Sequence, residues 1–176
     1  MSINFRPGMI VCFTGLPGSG KTGLMSYYAT MAKSQGWPVA SNYTLGVQDM
    51  RITRIADLQQ RATVLCIDEL QLVAGSRDFA KAVNKTISEW VELDIRKPQN
   101  VLLYTTQDFN MVDVNVRRLT SFIYDAELTT RPGWSRVAII QNMRYDRFVS
   151  KGSMLVPHTI FHGLYDTYDR NVRLAV

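Results

Sequence analysis

The run Gly15-Leu16-Pro17-Gly18-Ser19-Gly20-Lys21-Thr22 fills every fixed position of the pattern G-x-x-x-x-G-K-[ST]. Each residue type has a physical task at that spacing. The glycines let the backbone curl until successive N–H groups point inward, at the oxygens of a phosphate. A helix beginning near Lys21 aims the positive end of its dipole at the same anion. Lys21 is long enough to reach a β- or γ-phosphate, and the Thr22 hydroxyl is a ligand for Mg²⁺. The motif therefore predicts a nucleotide cradle for ATP and Mg²⁺.

A second constellation is Val64-Leu65-Cys66-Ile67-Asp68-Glu69, an apolar run that delivers two carboxylates at its end. A buried strand tipped with acids presents them at the ligand-binding edge of an α/β sheet. Beside the cradle, Asp68 would hold the metal, usually through water, and Glu69 would orient or deprotonate the attacking water. A solvated Asp-Glu pair at a strand-to-loop turn is the alternative. A small-molecule kinase activates an acceptor hydroxyl beneath an arginine-rich lid, whereas a hydrolase needs a base for water. The pair favours hydrolysis and counts against a non-hydrolysing switch.

Val101 to Thr106 is another apolar run, and it ends in Gln107. This amide could donate to a γ-phosphate and accept from the lytic water, or it could simply satisfy backbone groups at a strand end. Arg77, Arg96, Arg117 and Arg118 are candidates for an arginine supplied to a neighbour's site, although most arginines are ordinary surface residues. Tyr165 and Tyr168 could stack on a base; packing or surface roles are commoner for such residues.

These residues need a scaffold. Met9 to Thr14 reads as a buried strand, and Lys21 to Ser34 as a helix stopped by Gln35-Gly36 and Trp37-Pro38. Val39 to Tyr43 suggests a second strand, Thr44 to Met50 a loop and Ile55 to Gln60 a short helix. Thr63 to Ile67 and Val101 to Thr106 are apolar enough for parallel strands covered on both faces. Asp78 to Lys97 and Val112 to Leu119 are expected helices. The alternation predicts an α/β fold: a P-loop NTPase with a mostly parallel central sheet flanked by helices.

The last third changes character. Ser121 to Leu128, Arg136 to Tyr145 and Met154 to Phe161 read as strands parted by turns at Arg131-Pro132-Gly133 and Lys151-Gly152-Ser153. The expectation is one domain over 1–176, with a core of about 9–128 and an antiparallel strand extension of about 129–170.

Composition sets outer limits. At 176 residues the chain is long enough for one α/β domain, and 46% hydrophobic with 20% charged residues is globular. The net charge of +5 fits a polyanion partner weakly, since the 20 basic residues form no run. Cys12 and Cys66 sit inside apolar runs and read as reduced core residues, so a cytoplasmic setting is expected. No stretch approaches the roughly 18–20 apolar residues of a membrane span, and the start lacks a signal-peptide core.

The set Gly15–Thr22, Asp68-Glu69-Leu70-Gln71, Arg96, Thr106-Gln107 and Asp113-Val114-Asn115-Val116-Arg117-Arg118-Leu119 resembles the FtsK–HerA superfamily of DNA-pumping ATPases. Within it, the pattern is similar to zonula occludens toxin-like (Zot-like) phage assembly ATPases and to small viral genome-packaging ATPases. Tyr165-Asp166-Thr167 is similar to a Tyr-x-(Thr/Ser) element near the end of the Zot-like domain. The resemblance covers about residues 9–170. It implies a RecA/FtsK–HerA-like fold and a homohexameric ring around double-stranded DNA. It also implies ATP at subunit interfaces and Arg96 or Arg117 completing a neighbour's site.

Zot-like proteins carry a membrane span after this domain, whereas this sequence stops at Val176 without one, which counts towards a packaging motor unless the chain is a cut-down domain. The expectation leans to a packaging motor in the host cytoplasm or virion that fills a preformed capsid. The alternative is a Zot-like assembly or export ATPase working at a membrane through virion proteins. A nucleotide or small-molecule kinase ranks lower. So does a remodelling ATPase of the AAA+ kind, which appends a helical lid where this tail reads as strands.

Overall fold

The structure is a computed structural model that describes residues 3–72, 99–143 and 147–166. Its described residues build an eight-stranded sheet in the order β3-β2-β4-β5-β1-β6-β7-β8. The strands are β1 (Ile10–Thr14), β2 (Val39–Ser41), β3 (Met50–Arg51), β4 (Val64–Ile67), β5 (Val101–Thr106), β6 (Phe122–Leu128), β7 (Trp134–Asn142) and β8 (Phe148–Pro157). From β3 to β6 every pairing is parallel, and β6, β7 and β8 are antiparallel. This is the fold class that the sequence predicts, a mostly parallel sheet with antiparallel C-terminal strands.

The core strands are apolar because both of their faces are covered. Every residue of β1, β4 and β5 is buried. Alternate side chains of β1 enter different cores: Val11 and Phe13 join Leu24, Met25 and Tyr28 of helix α1 (Lys21–Ser34), while Ile10 and Cys12 join Val112 and Val116 on the other face. Each such side chain contributes about 1.5–3 kcal/mol of burial. Cys12 and Cys66 are free and buried, in different clusters, so they are core residues as expected.

Helix α1 has the limits read from the sequence. It starts after Gly20, in the left-handed region at φ 82°, and is followed by Gly36 at φ 87°. The second helix, α2 (Val114–Leu119), is capped by Asp113, whose Oδ1 accepts from the Asn115 amide at 2.9 Å. It is shorter than the expected Val112–Leu119, because Val112 is extended after a 3-10 turn at Phe109–Met111. The expected helix over Asp78–Lys97 lies outside the described residues.

Three expectations need correction. The loop expected over Thr44–Met50 ends in a two-residue strand, β3, that pairs with β2. Lys151-Gly152-Ser153 is no turn: it lies within β8, where Gly152 at φ 127° and a register shift against Ile139/Ile140 absorb the irregularity. The chain reverses earlier, with Asn142 opposite Phe148. The last expected strand, Met154–Phe161, therefore ends at Pro157, and His158–Phe161 is a 3-10 turn. That turn carries the tail back over α1. Among the described residues no helix is long and apolar enough to cross a membrane.

Candidate functional site

Parallel strands place their C-terminal ends on one edge, and three of them carry the predicted chemistry there. Strand β5 lies between β1 and β4. Gln107 therefore leaves the sheet between the phosphate loop, which follows β1, and the acidic pair, which follows β4. Thr14 sits opposite Thr106, and its Oγ1 reaches the Gln107 carbonyl at 3.5 Å.

The loop has the shape its glycines allow. Gly15 has φ 142°, and a Cβ there would lie 2.2 Å from the Ala126 carbonyl of β6. Any larger residue would push the loop off the sheet. Leu16, Pro17 and Gly18 form the exposed crest, while Ser19 and Lys21 are buried and Gly20 and Thr22 half-buried.

Behind the loop, one carboxylate is tightly organised. The Oδ1 atom of buried Asp68 accepts from Thr22 Oγ1 at 2.8 Å and from Thr105 Oγ1 at 2.6 Å. Its backbone is clamped by Asn42, whose Oδ1 accepts from the Asp68 amide at 2.8 Å and whose Nδ2 donates to the Asp68 carbonyl at 3.2 Å. Thr105 Oγ1 also accepts from the Glu69 amide at 2.7 Å, so one hydroxyl fixes both acids.

Glu69 occupies the left-handed region at φ 52°, where a non-glycine residue costs on the order of 1–3 kcal/mol. The Glu69 carboxylate accepts from Gln71 Nε2 at 3.1 Å and faces Gln107 Nε2, 3.4 Å from each oxygen. The structure thus gathers Thr22, Asp68, Glu69 and Gln107 as the sequence expected.

The arginines are arranged differently. Arg117 is half-buried on α2, whose Val116 packs on the sheet face opposite α1. Its guanidinium donates to Asn110 at 3.3 Å, and its Nε is buried without a hydrogen-bond partner. Exposed Arg118 follows on the same helix, while Arg77 and Arg96 lie outside the described residues.

Of the other residues of the site only Tyr165 carries an assignment from the sequence, as a group that could stack on a base; Tyr168, named with it, lies outside the described residues. Thr105 and Asn42 organise the acids, yet a threonine in a strand and an asparagine after one give no signal of that role. The tail residues His158, Phe161, His162, Gly163 and Tyr165 join Gly18, Gly20, Lys21 and Thr22 around a cavity of about 500 Å³. Tyr165 stands edge-on to buried Tyr43, with ring centroids 6.3 Å apart. Burial and the nearby Asp68 charge both push the Tyr165 hydroxyl pKa up. A signal was present in Gly23, a glycine inside a helix: a Cβ there would meet the Phe161 ring at 2.5 Å.

The residues fit a magnesium nucleotide. Ser19 Oγ is buried without a hydrogen-bond partner, beside Gly15 in the cradle. Thr22 and Asp68 supply the hydroxyl and carboxylate oxygens that Mg²⁺ takes when phosphate and water complete its shell. Among the described residues no cluster of three or more His, Cys, Asp or Glu could hold a metal alone.

A mostly parallel sheet with a glycine-rich phosphate loop after β1 and an acid pair two strands away defines a P-loop nucleoside triphosphatase. A model of the "ATPase family associated with various cellular activities (AAA)" matches residues 11–128. The chain belongs to that family and is an ATP-hydrolysing enzyme of the P-loop type. The strand-rich tail ranks the AAA+ alternative low when the sequence is read alone. The match ends at Leu128, the last residue of β6, so the strands that argue against a helical lid lie beyond it.

No curated protein matches the chain. Among solved structures it is similar to the N-terminal domain of zonular occludens toxin from Neisseria meningitidis, with 18% identity and TM-score 0.60, covering 90% of this chain and 98% of that one. A second solved structure, itself an isolated ATPase domain, gives 9% identity and TM-score 0.60 over 87% and 82% of the two chains. A DnaB-like replicative helicase gives 10% identity and TM-score 0.60 over 87% and 57%. At these identities the shared property is the fold.

Proposed function

We propose that the chain is a magnesium-dependent ATPase motor of the FtsK–HerA superfamily that acts as a homohexameric ring and translocates double-stranded DNA, packaging a viral genome into a preformed capsid. The observation that carries the motor reading is the linked set Thr22–Asp68–Thr105–Glu69–Gln107, which holds a metal-binding acid and a base at fixed separation behind the phosphate loop.

In this reading, backbone N–H groups of Gly15–Thr22 and the Lys21 ammonium bind the triphosphate, and Thr22 and Asp68 hold Mg²⁺, which neutralises phosphate charge. Glu69 takes the proton of the attacking water. Gln107, already facing Glu69, orients that water and registers whether a γ-phosphate is present. Arg117, fastened to Asn110 on the α2 side of the sheet, serves the adjoining subunit, as would Arg96. For the DNA step, support comes from the net charge of +5 and from fold similarity to a replicative helicase.

One observation favours a second reading. The Zot N-terminal domain overlays 90% of this chain, a span that must include much of the antiparallel tail. An assembly ATPase driving virion proteins at a membrane would have that shape.

The deciding experiment is steady-state ATPase activity with and without duplex DNA at low salt, across a range of protein concentrations. The DNA motor predicts turnover that rises with both. Turnover that rises with protein concentration and ignores DNA would transfer the assignment to the assembly ATPase.

A further inference from the structure

The triphosphate accounts for only one wall of the cavity beside the loop. That wall is Gly18, Gly20, Lys21 and Thr22; the opposite wall is the tail segment 158–165. About 500 Å³ is within the range of nucleotide-sized pockets and is more than three phosphate groups fill.

The tail wall is built into the fold. His158 Nε2 lies 2.8 Å from Ser135 Oγ, which in turn donates to the Ser19 carbonyl in the phosphate loop at 2.8 Å. Phe161, stacked beside the His158 ring, fills the space left by Gly23. Further on, the Gly46 amide donates to the Leu164 carbonyl at 2.9 Å, the Asp166 amide donates to the Thr44 carbonyl at 3.1 Å, and Leu45 bridges Tyr165. The segment is therefore a strap across the start of α1, fastened to β7 on one side and to the 44–46 loop on the other.

Between these fastenings the strap presents imidazole and phenol rings, no carboxylate among the described lining residues, and open space beside Gly163. That surface suits a flat, polar-edged aromatic group.

We infer that the strap 158–165 is the nucleobase site: the purine ring of the bound nucleotide lies against His162 and Tyr165, on a wall held by His158 and Phe161. The inference rests on the nucleotide site proposed above. Because the strap is tied to Ser135 of β7 and to Ser19 of the loop, an occupied base site also couples the nucleotide to the antiparallel extension.

The test compares two probes by calorimetry on the full chain: Mg·ATP, and Mg·tripolyphosphate, which has phosphates and no base. His162→Ala and Tyr165→Ala, each checked for native thermal unfolding, are expected to weaken Mg·ATP about tenfold, the scale of one base–aromatic stack, and to leave Mg·tripolyphosphate unchanged. Gly23→Ala, which touches neither probe, is expected to give the same pattern by pushing Phe161 and the strap outward. Tyr165→Phe keeps the ring and should stay near wild-type. Unchanged Mg·ATP affinity in all three weakened variants, or equal loss of both probes, would overturn the inference. Lys21→Ala separates the two levels: it should lose both probes, and retention of both would overturn the phosphate-loop assignment instead.

Discussion

Gln107 Nε2 stands 3.4 Å from both carboxylate oxygens of Glu69, although the two residues leave different strands and are 38 positions apart. The contact is long for a hydrogen bond, so it guides the base more than it neutralises it. A third group is needed to tighten it, and the attacking water can fill that role. Gln107→Ala should therefore lower kcat by about tenfold to a hundredfold while ATP affinity stays within a few-fold of wild-type. Equal loss of kcat and affinity would place Gln107 in ground-state binding, and unchanged kcat would make it a strand-end residue.

Thr105 has the most constrained hydroxyl in the site, donating to Asp68 and accepting from the Glu69 amide. Thr105→Val keeps the shape and removes both links, at a cost of about 1–3 kcal/mol for the unsatisfied buried groups. The expected result is a lower Tm together with a higher Mg²⁺ requirement for half-maximal turnover. Thr105→Ser should restore the Mg²⁺ requirement. A Tm loss with an unchanged Mg²⁺ requirement would reduce Thr105 to a packing residue.

Asp125 of β6 lies opposite Thr14 and is half-buried. Burial, then the nearby Glu127 charge, raise its carboxyl above the ordinary 3.8. An acid whose folded value is raised gives the folded state extra proton affinity. Its favourable contribution is complete below the unfolded value and lost as pH rises through the folded one. Asp125→Asn should thus raise Tm at pH 7, with the advantage shrinking as pH falls toward about 4. A lower Tm at pH 7 would mean that the charged form is held by a partner.

How much of this was legible in the sequence differs by element. Strand β5 and helix α1 have the predicted limits because strong signals bound them: an unbroken apolar run, and a phosphate loop before a Gly-Trp-Pro stop. The acids and Gln107 were legible because a buried strand has few reasons to end in such groups. Of the cavity wall only Tyr165 was, as a group that could stack on a base. His158 and Phe161 reach Gly20 and Gly23 from more than 130 residues away, a pairing that exists only after β8 folds back along β7. The misplacement of β8 hid it further, since the glycine at 152 looks like a turn and serves as a bulge. Gly23 was a second local clue, a helix-interior glycine that costs about 1 kcal/mol and so needs a reason.

Arg117 is fastened to Asn110 on the α2 side of the sheet. If it serves an adjoining subunit, Arg117→Ala and Lys21→Ala proteins should each be inactive alone and regain turnover when mixed. Mixed assemblies then contain interfaces with an intact loop and an intact arginine. No recovery on mixing, with both proteins assembling normally, would remove Arg117 from the trans role.

The most direct measurement is ATP binding and turnover in Glu69→Gln. The substitution removes the base and leaves Lys21, Thr22 and Asp68 in place. The account predicts ATP affinity close to wild-type with turnover reduced by about a hundredfold or more, so that ATP stays bound and unhydrolysed. Turnover at the wild-type rate would contradict it, because water would then be activated without Glu69.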